Sequence, residues 1–429
     1  MDHRLTRRHL LQAGLAAGAV GLTRKGLAQD SVKTVRMGFI GVGIRGTSLL
    51  KGALRMQGVV VPAICDIREE RIQHVGGIVE KVSGKRPEGY SKGPVDYRRM
   101  LQRDDLDAVL IATPMQLHAQ MSADALRAGK HALSEVAAAV TLDGCWDIVR
   151  AAEETGKTYM LAENCCYYRS NLMVREMVRK GIFGQLTYAE TGYVHDCRSL
   201  MFKPDGSLTW RGELSRDMAP GGNWYPTHSL GPVAQWLGIN RGDRLVSLVS
   251  SSCSDACMQQ YAAKRFGDRY AKTKFGGDSN HALIKTAKGA MIDLRFDVSS
   301  ARPHVGTTYF TLQGTTASYS KRERTENIWI DGRTKGRGWE PASTYAKEFP
   351  SELWAKYGEE AKKTGHGGAD FFVIREFLET VRTGRPSPID AYDAAAWSCI
   401  IPLSVASVRA GGAPQEIPDF TKGKWKTRT

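Results

Sequence analysis

The chain has 429 residues, of which 42% are hydrophobic and 24% are charged, so it is long enough for two domains that each bury a core. This composition excludes a disordered chain and a disulfide-stabilised miniprotein. The formal net charge is +15, but the basic residues are scattered and no basic helix alternates with aromatic residues. The charge therefore does not predict nucleic-acid binding, although attraction to a polyanion stays open.

The first 28 residues carry the pattern of an export signal. A twin-arginine motif, Thr6-Arg7-Arg8-His9-Leu10-Leu11, precedes an apolar run from Ala13 to Leu22, and Gly26-Leu27-Ala28 resembles a small-residue cleavage site. We expect residues 1–28 to be a twin-arginine signal and the mature protein to be periplasmic or secreted. No membrane span is expected beyond this leader.

Residues 33–162 alternate between short apolar strands and helices. Strands are predicted at Val35–Ile40, Val59–Cys65, Ala108–Ala112, Ala132–Ser134 and Thr158–Leu161, with helices at Gln116–Ala128 and Leu142–Glu154. Nearly continuous apolar strands are typical of a parallel sheet covered on both faces. The pattern predicts a doubly wound α/β domain.

A dinucleotide fingerprint follows the first strand. Gly41-Val42-Gly43-Ile44-Arg45-Gly46 is a complete G-x-G-x-x-G at the start of a predicted helix, and Asp66 closes the second strand. The glycines suit a tight turn, close approach of a pyrophosphate and helix packing, and Asp66 suits the adenosine ribose hydroxyls. We predict NAD as cofactor; Arg68 leaves NADP open. A cofactor carried across the membrane by a folded protein must be held tightly and regenerated in each turnover.

Residues 163–429 have the longer alternating strands of a second, α+β domain with a largely antiparallel open sheet. Strands are predicted at Thr187–Tyr193, Leu245–Ser251, His281–Thr286, Ala290–Phe296 and Thr308–Leu312, and helices at Asn171–Lys180, His228–Leu237 and Phe371–Thr383. The polar, Gly-rich stretch 318–366 is expected to be an excursion over the surface or the cleft. The final helices are expected to pack back on the first domain.

Motifs near the end of the first domain resemble the Gfo/Idh/MocA oxidoreductase family. They are Ala112-Thr113-Pro114 with His118, Ala128-Gly129-Lys130-His131, and Ser134-Glu135. In that family a lysine follows the glutamate and takes part in proton transfer. This chain has Glu135-Val136-Ala137 instead, which argues against an ordinary dehydrogenase.

The second domain resembles glycoside hydrolase family 109, the NAD-dependent α-N-acetylgalactosaminidases. The motifs that carry this resemblance are Glu163-Asn164-Cys165-Cys166-Tyr167, Tyr193-x-His195-Asp196-x-Arg198, Tyr225-Pro226-Thr227-His228, Arg302-Pro303-His304, Gly365-His366-Gly367-Gly368-x-Asp370 and Tyr392-Asp393-Ala394-Ala395-Ala396-Trp397. The family commonly has a tyrosine where this chain has His304. That difference makes a shifted substrate preference credible.

The resemblance implies roles for three groups of residues. Tyr193, Tyr225, His228 and Glu163 are the catalytic candidates. The cofactor candidates are Gly41, Gly43, Ile44, Arg45, Gly46, Asp66, Thr113, His118, Glu135 and Asn164. The substrate candidates are Arg198, Tyr225, His304 and His366. No metal site is predicted, because the eight cysteines lack metal-binding spacing.

The implied reaction is a redox-neutral hydrolysis of terminal N-acetylgalactosaminides. Hydride leaves C3 of the sugar, the C2 proton is removed, the glycosidic oxygen is eliminated, water adds, and hydride returns to C3. His228 is the expected base at C3, and Tyr193 is the expected base at C2 if nearby positive charge lowers its pKa. Two alternatives stay open, namely a sugar or inositol dehydrogenase of the parent family and a non-catalytic protein with a locked nucleotide. The resemblance also suggests a homodimer or homotetramer.

Overall fold

The computed structural model describes residues 32–270 and 272–428. The expected twin-arginine signal lies outside these residues. In the described part of the chain, one helical stretch, Ala391–Arg409, has the length and apolar composition of a membrane span, and 78% of its apolar window is buried inside the protein. It is two core helices, separated at Cys399.

The first sheet is entirely parallel and has the order β4-β3-β1-β5-β6-β7, with β2 also paired to β1. Its strands are β1 (Val35–Ile40), β2 (Val59–Val60), β3 (Ala63–Cys65), β4 (Glu88–Tyr90), β5 (Ala108–Ile111), β6 (His131–Ser134) and β7 (Tyr159–Leu161). The helices between them are α1 (Ile44–Ala53), α2 (Glu69–Ser83), α3 (Asp96–Leu101), α4 (His118–Arg127) and α5 (Leu142–Thr155). Met37, Phe39 and Leu110 are fully buried, because helices cover both faces.

The second sheet has the order β15-β14-β13-β12-β8-β11-β10-β9-β16. Its strands are β8 (Leu186–Val194), β9 (Leu245–Ser252), β10 (Ser279–Thr286), β11 (Met291–Asp297), β12 (Thr308–Gly314), β13 (Ala317–Arg322), β14 (Thr325–Ile330), β15 (Glu340–Pro341) and β16 (Gln415–Glu416). Neighbouring strands are antiparallel except β8 and β11, which run parallel with Tyr193 opposite Phe296. The carboxyl ends of these two strands therefore meet at one edge.

Helices cover one face of this second sheet and connect it to the first. They are α6 (Arg169–Arg179), α7 (Trp210–Glu213), α8 (Thr227–Trp236), α9 (Ala256–Phe266), α10 (Glu352–Ala361), α11 (Ala369–Thr383), α12 (Ala391–Ser398) and α13 (Ile400–Arg409). Trp236 of α8 packs against Phe310 and Tyr319 of the sheet. The α12 helix contacts α5, and Ser398 Oγ accepts a hydrogen bond from Ala138 N–H, so the C-terminal helices lie against the first sheet's domain.

The predicted fold class is confirmed, with a parallel N-terminal sheet and a mostly antiparallel C-terminal one. Two local expectations were wrong. The stretch 318–366 is not an excursion, because β13 and β14 form a hairpin that extends the sheet and bury Tyr319 and Ile328. Val59–Cys65 is two short strands, β2 and β3, which pair with different parts of β1.

Candidate active site

The turn from β1 to α1 forms an open cradle with two closely packed ends. Gly41 has φ +83°, and a Cβ there would lie 2.8 Å from the Ala112 carbonyl. A Cβ on Gly46 would lie 1.9 Å from the Gly41 oxygen. At Gly43, by contrast, a Cβ would contact only the Arg68 guanidinium, at 3.6 Å, so this position is open toward a ligand. Helix α1 has no side-chain cap, which leaves its first N–H groups for a pyrophosphate.

Asp66 lies directly after β3, beside this cradle. Its Oδ2 accepts a hydrogen bond of 3.0 Å from Val42 N–H, and its Oδ1 accepts one of 3.1 Å from Arg68 N–H. These bonds hold the carboxylate at the edge of the sheet where a ribose would bind. The Ile44 side chain is 91% exposed at the same edge, so the cradle presents an apolar surface as well.

Asn164 offers a second indication that the residues fit a dinucleotide. Its Nδ2 donates to Asp370 Oδ1 at 3.0 Å, whereas its buried Oδ1 has no partner among the described residues. A buried amide oxygen without a partner is costly. A ribose hydroxyl or a carboxamide N–H of NAD would satisfy it.

Arg45 connects the cradle to the second domain. Its Nε donates to Glu135 at 2.8 Å, and its two terminal nitrogens donate to the two Asp370 oxygens at 2.6 and 2.9 Å. His366 Nδ1 lies 3.0 Å from Asp370 Oδ2. Burial lowers the pKa of Arg45, but Glu135 and Asp370 raise it more, so the guanidinium stays charged. Arg45 thus places a fixed positive charge beside Glu135, and the residue directly after Glu135 is Val136.

The four predicted catalytic side chains lie together at the start of α8. His228 Nδ1 is 2.7 Å from Glu163 Oε1, and His228 Nε2 is 3.4 Å from the Tyr225 hydroxyl. The Tyr193 ring lies 5.1 Å from the Tyr225 ring and 5.6 Å from the His228 ring, centroid to centroid. The arrangement is a carboxylate that orients an imidazole, with two phenols next to it.

Electrostatics make the Glu163–His228 pair an ion pair. Burial lowers the pKa of His228, but Cys165 and Glu163 raise it more, and the net pKa lies well above the ordinary value. Because burial raises the pKa of the Cys165 thiol and keeps it neutral, the fully buried Glu163 carboxylate is the charge responsible. The Glu163 carboxylate therefore favours the protonated form of His228 in the free site.

Tyr193 does not have the lowered pKa that we expected from nearby positive charge. Burial is the main cause that raises its pKa well above the ordinary value, and the neighbouring Tyr225 adds to the rise. The Tyr193 hydroxyl instead lies 2.7 Å from His195 Nδ1. Burial lowers the pKa of His195, so this imidazole is neutral and its Nδ1 can accept the phenol proton.

The donor atoms of Glu163, Cys165 and His228 lie within 4.8 Å of one another, a spacing that a metal ion could use. However, His228 Nδ1 is already hydrogen-bonded to Glu163. The thiol is also protonated, because burial raises its pKa. The group fits proton transfer better than metal binding.

The substrate candidates have different environments. Arg198 donates two hydrogen bonds to Asp196, at 2.9 and 2.7 Å, and lies over the Tyr261 ring, so its guanidinium is already paired. The His304 ring centroid lies 4.5 Å from that of His195, which brings His304 next to Tyr193. His366 is 48% exposed and faces Asp370.

His118 has no free ring nitrogen for a cofactor. Its Nδ1 lies 2.8 Å from the Ala137 carbonyl and its Nε2 lies 2.9 Å from the Thr113 carbonyl. The His118 side chain joins the two loops that follow β5 and β6, so it holds these loops in position beside the site. Thr113 and Glu135 stand at the beginnings of those loops, at the carboxyl edge where open parallel sheets bind ligands.

Two residues of the site were missed by sequence reasoning. Asp370 was quoted only as part of a motif, yet it binds Arg45, Asn164 and His366 at once. Arg211 lies over the Trp210 ring. Burial raises the pKa of Tyr225, and the charge of His228 and, to a smaller extent, that of Arg211 act against this rise. No local pattern around Arg211 indicates this role.

One packed glycine and one open glycine of the cradle give a paired prediction. We expect Gly46→Ala to lower the free energy of unfolding by about 1–3 kcal/mol, because its Cβ would overlap the Gly41 oxygen. Gly43→Ala should change it by less than about 1 kcal/mol but reduce the NAD that remains bound after desalting. Urea unfolding and the nucleotide content of each protein test this. Equal nucleotide content in Gly43→Ala and the wild type would contradict the role given to Gly43.

Comparisons with known proteins agree with this geometry. Residues 35–163 match the NAD-binding Rossmann-fold domain of the Gfo/Idh/MocA oxidoreductase family, and residues 167–427 match the C-terminal domain of glycosyl hydrolase 109. The chain is 40% identical to a glycosyl hydrolase family 109 protein of Solibacter usitatus, over 99% of this chain and 98% of that protein. It is 33% identical to an alpha-N-acetylgalactosaminidase of Tannerella forsythia, over 95% and 91% of the two chains.

Solved structures show the same fold. A levoglucosan dehydrogenase in complex with NADH and L-sorbose superimposes with a TM-score of 0.70 at 19% identity, over 90% of this chain and 100% of that one. The family models match both domains of the chain, and the structure has the dinucleotide cradle and the Glu163–His228 pair in those same domains. The chain belongs to glycosyl hydrolase family 109, with an NAD-binding Rossmann domain.

Proposed function

We propose that this chain is an NAD-dependent glycosidase that releases terminal N-acetylgalactosamine, with α the preferred anomer. The observation that carries the proposal is the buried Glu163–His228 pair, which lies with Tyr193 and Tyr225 next to a dinucleotide site. The name of the Tannerella forsythia relative supplies the sugar. A bound NAD would supply a reversible hydride acceptor for C3 of that sugar.

His228 is the group suited to the C3 hydroxyl. Its Nδ1 is fixed by Glu163, so its Nε2 faces Tyr225 and the space beside the tyrosines. Because Glu163 favours the protonated imidazole, His228 must lose its proton before it can act as a base, and a rise in pH brings this about. The neutral imidazole then takes the hydroxyl proton as hydride leaves C3.

Tyr193 and His195 together suit the C2 proton. A phenol with a raised pKa is a poor base by itself. The hydrogen bond to His195 Nδ1 makes Tyr193 a better base. The Tyr193 oxygen can take the C2 proton while the phenol proton of Tyr193 moves to His195. The proton held by His195 then passes to the departing glycosidic oxygen. When water adds, its hydroxide bonds to C1 and its proton returns to C2 through the same pair.

The pH dependence of the reaction tests the role of the ion pair. The raised pKa of His228 means that activity, if it needs the neutral imidazole, rises with pH through that elevated pKa. Glu163→Gln removes the stabilising carboxylate, so we expect the rise in kcat/KM to move to lower pH by about one unit or more. Titration of the His228 imidazole by NMR should show the same shift. Glu190→Gln, on the opposite face of β8 and paired with Arg322, is the control and should shift neither curve.

The reaction type is tested with aryl N-acetyl-α-galactosaminide in heavy water without added nucleotide. Release of N-acetylgalactosamine with deuterium at C2 is the expected result, because elimination exchanges the C2 proton with solvent. No release, together with NADH accumulation from added NAD and free sugar, would instead identify a dehydrogenase. Bound NAD with neither activity would support a non-catalytic protein.

The cellular location is a separate proposal. We propose that the twin-arginine motif at Arg7 and Arg8 directs the folded, NAD-loaded protein to the periplasm or medium. Cell fractionation tests this, and replacement of both arginines by lysine should leave the protein in the cytoplasm. Unchanged export of that variant would contradict the proposal.

We also propose a glycan substrate and a homo-oligomer formed through the face of the second sheet opposite α8. Leu283 and Met291 are exposed on neighbouring strands there, at 41% and 37%. Light scattering of the wild type and of Leu283→Glu tests the assembly. An unchanged mass for that variant would contradict this interface.

A further inference from the structure

The loop of residues 298–307, which joins β11 to β12, is fixed at both ends against the end of β8. The backbone N–H of Cys197 donates to the carbonyl of Val298 at 3.0 Å, and the backbone N–H of Val194 donates to the carbonyl of Thr307 at 2.8 Å. The middle of this β11–β12 loop therefore lies next to the residues that directly follow β8.

His304 and Arg302 bring the β11–β12 loop to the catalytic cluster. The His304 ring centroid lies 4.5 Å from that of His195, whose Nδ1 is hydrogen-bonded to the Tyr193 hydroxyl. Burial is the main cause that lowers the pKa of His195, and His304 and Arg302 both add to this effect. The guanidinium charge of Arg302 therefore acts on the imidazole that is bonded to Tyr193.

The Arg302 guanidinium has no counter-charge within the described part of the chain. It is half-buried, it forms no ion pair or hydrogen bond with a described residue, and its buried Nε has no partner. Glu323 packs against the loop at Gly306 but is not paired with Arg302 in this structure. A partly buried, unpaired cationic donor is costly, and an anionic ligand would remove this cost.

The carboxylates next to the loop already have other partners. Asp196 accepts two hydrogen bonds from the Arg198 guanidinium, at 2.9 and 2.7 Å. Asp297, at the end of β11, accepts one from Arg295 at 3.1 Å. The surroundings of His195 therefore keep the positive charge of Arg302 uncompensated.

This charge lies on the side of the site where the leaving group departs. In the proposed reaction, His195 receives the phenol proton of Tyr193 and passes it to the glycosidic oxygen. The group attached to that oxygen must therefore lie beside His195 and the β11–β12 loop.

We propose that Arg302 binds an oxyanion on the leaving group, either a carboxylate or a sulfate. The inference rests on the proposed glycosidase activity and adds to it that the natural leaving group is acidic. A guanidinium binds such groups through two parallel hydrogen bonds, which gives direction as well as affinity. Arg302 is then a specificity-determining residue, because binding energy from a non-reacting part of the substrate raises kcat/KM.

Aryl N-acetyl-α-galactosaminides that differ only in charge test this assignment. The aryl ring carries a carboxylate, a sulfonate or a neutral carboxamide, each at the meta and at the para position. The ratio of kcat/KM for the preferred anionic glycoside to that for its carboxamide should fall by at least about 10-fold in Arg302→Gln, the scale of one hydrogen bond between charged groups. Comparing this ratio between proteins cancels leaving-group chemistry and any general loss of activity. The anion with the larger ratio in the wild type identifies the group.

Arg337 offers a matched control. It is exposed between β14 and β15 and forms no ion pair with a described residue, so Arg337→Gln should keep the wild-type ratio. An unchanged ratio in Arg302→Gln, whether the rates on both glycosides are kept or fall equally, overturns the anion site and leaves the glycosidase intact. If the melting curve shows that Arg302→Gln does not fold, Arg302→Met, which keeps the apolar stem of the side chain, takes its place.

A different outcome separates the two proposals. If the wild type cleaves none of these glycosides, the proposed activity fails. Calorimetric binding of the anionic and carboxamide glycosides to the NAD-loaded protein then decides the anion site. The assignment stands if an anionic glycoside binds more tightly than its carboxamide and Arg302→Gln removes the difference, and it falls otherwise.

Discussion

Replacement of His228 by alanine should lower kcat/KM on aryl N-acetyl-α-galactosaminide by at least ~100-fold, the usual scale for the loss of a general base. His228 is the imidazole held by the buried Glu163, and its other nitrogen faces Tyr225. Because the same group must take and return the C3 proton, we expect the loss mainly in kcat. The variant also leaves the buried Glu163 carboxylate without its imidazole partner, so we expect a lower melting temperature and measure the rate well below it.

The control for this variant is another histidine that pairs with a carboxylate. His281 Nδ1 lies 3.2 Å from Asp293 Oδ1 on the second sheet, and its side chain is 52% exposed. His281→Ala should keep wild-type kcat/KM within about twofold. Bound NAD and the melting curve are measured for both variants. If His228→Ala retains NAD, fold and rate together, His228 is not the base.

The Asp370→Ala substitution should cost about 3–5 kcal/mol of unfolding free energy, the scale for removing one partner of a buried ion pair. Asp370 has a 4% exposed side chain and binds the two terminal nitrogens of Arg45 and the amide of Asn164. Its loss leaves the Arg45 guanidinium with Glu135 as its remaining carboxylate partner among the described residues. The NAD content should fall as well, because Arg45 and Asn164 both belong to the cofactor candidates.

Urea unfolding at two pH values shows how the stabilisation by Asp370 depends on pH. Burial raises the pKa of Asp370, but His366 and Arg45 lower it more, so the folded-state pKa lies below the unfolded one. The stabilisation is therefore complete above the unfolded pKa of about 3.9 and is lost as the pH falls through the folded value. The difference between Asp370→Ala and the wild type should be full at pH 7 and begin to shrink only at strongly acidic pH.

A surface pair of the same geometry is the control. Arg36 binds both oxygens of Asp107, at 3.1 and 2.7 Å, but the two side chains are 40% and 31% exposed. Asp107→Ala should cost no more than about 1 kcal/mol, since solvent screens such pairs. Equal losses of unfolding free energy in Asp107→Ala and Asp370→Ala would show that the buried Arg45–Asp370 pair stabilises the fold no more than an exposed pair does.

Local patterns were enough to predict the cofactor cradle. One continuous strand–turn–helix–strand unit contains the apolar strand β1, the three glycines and Asp66. The spacing of the glycines in the motif already indicates why each position needs a residue without a side chain. The parallel sheet and the mostly antiparallel sheet were predicted for the same reason, because their strands differ in apolar continuity. Short strands such as β4, which buries only Tyr90, carry too little pattern to be found.

Long-range contacts could not be predicted in this way. Arg45 and Asp370 are 325 positions apart, and no local pattern tells which carboxylate binds the guanidinium. The β13–β14 hairpin was missed because the charged turn at Lys321 to Arg324 hides the alternation that buries Tyr319 and Ile328. The pKa of Tyr193 was also missed, since burial by neighbours from several elements sets it.

The parallel pairing of β8 with β11 has an evolutionary consequence. Because β8 and β11 end at the same edge, with Val194 opposite Asp297, residues 298–307 lie against the end of the strand that carries Tyr193 without being part of it. His304 reaches His195 from that loop. The loop can therefore vary in length and sequence while the strand that carries Tyr193 stays unchanged. A change in this loop would alter the surroundings of Tyr193 while the backbone of β8 stays the same.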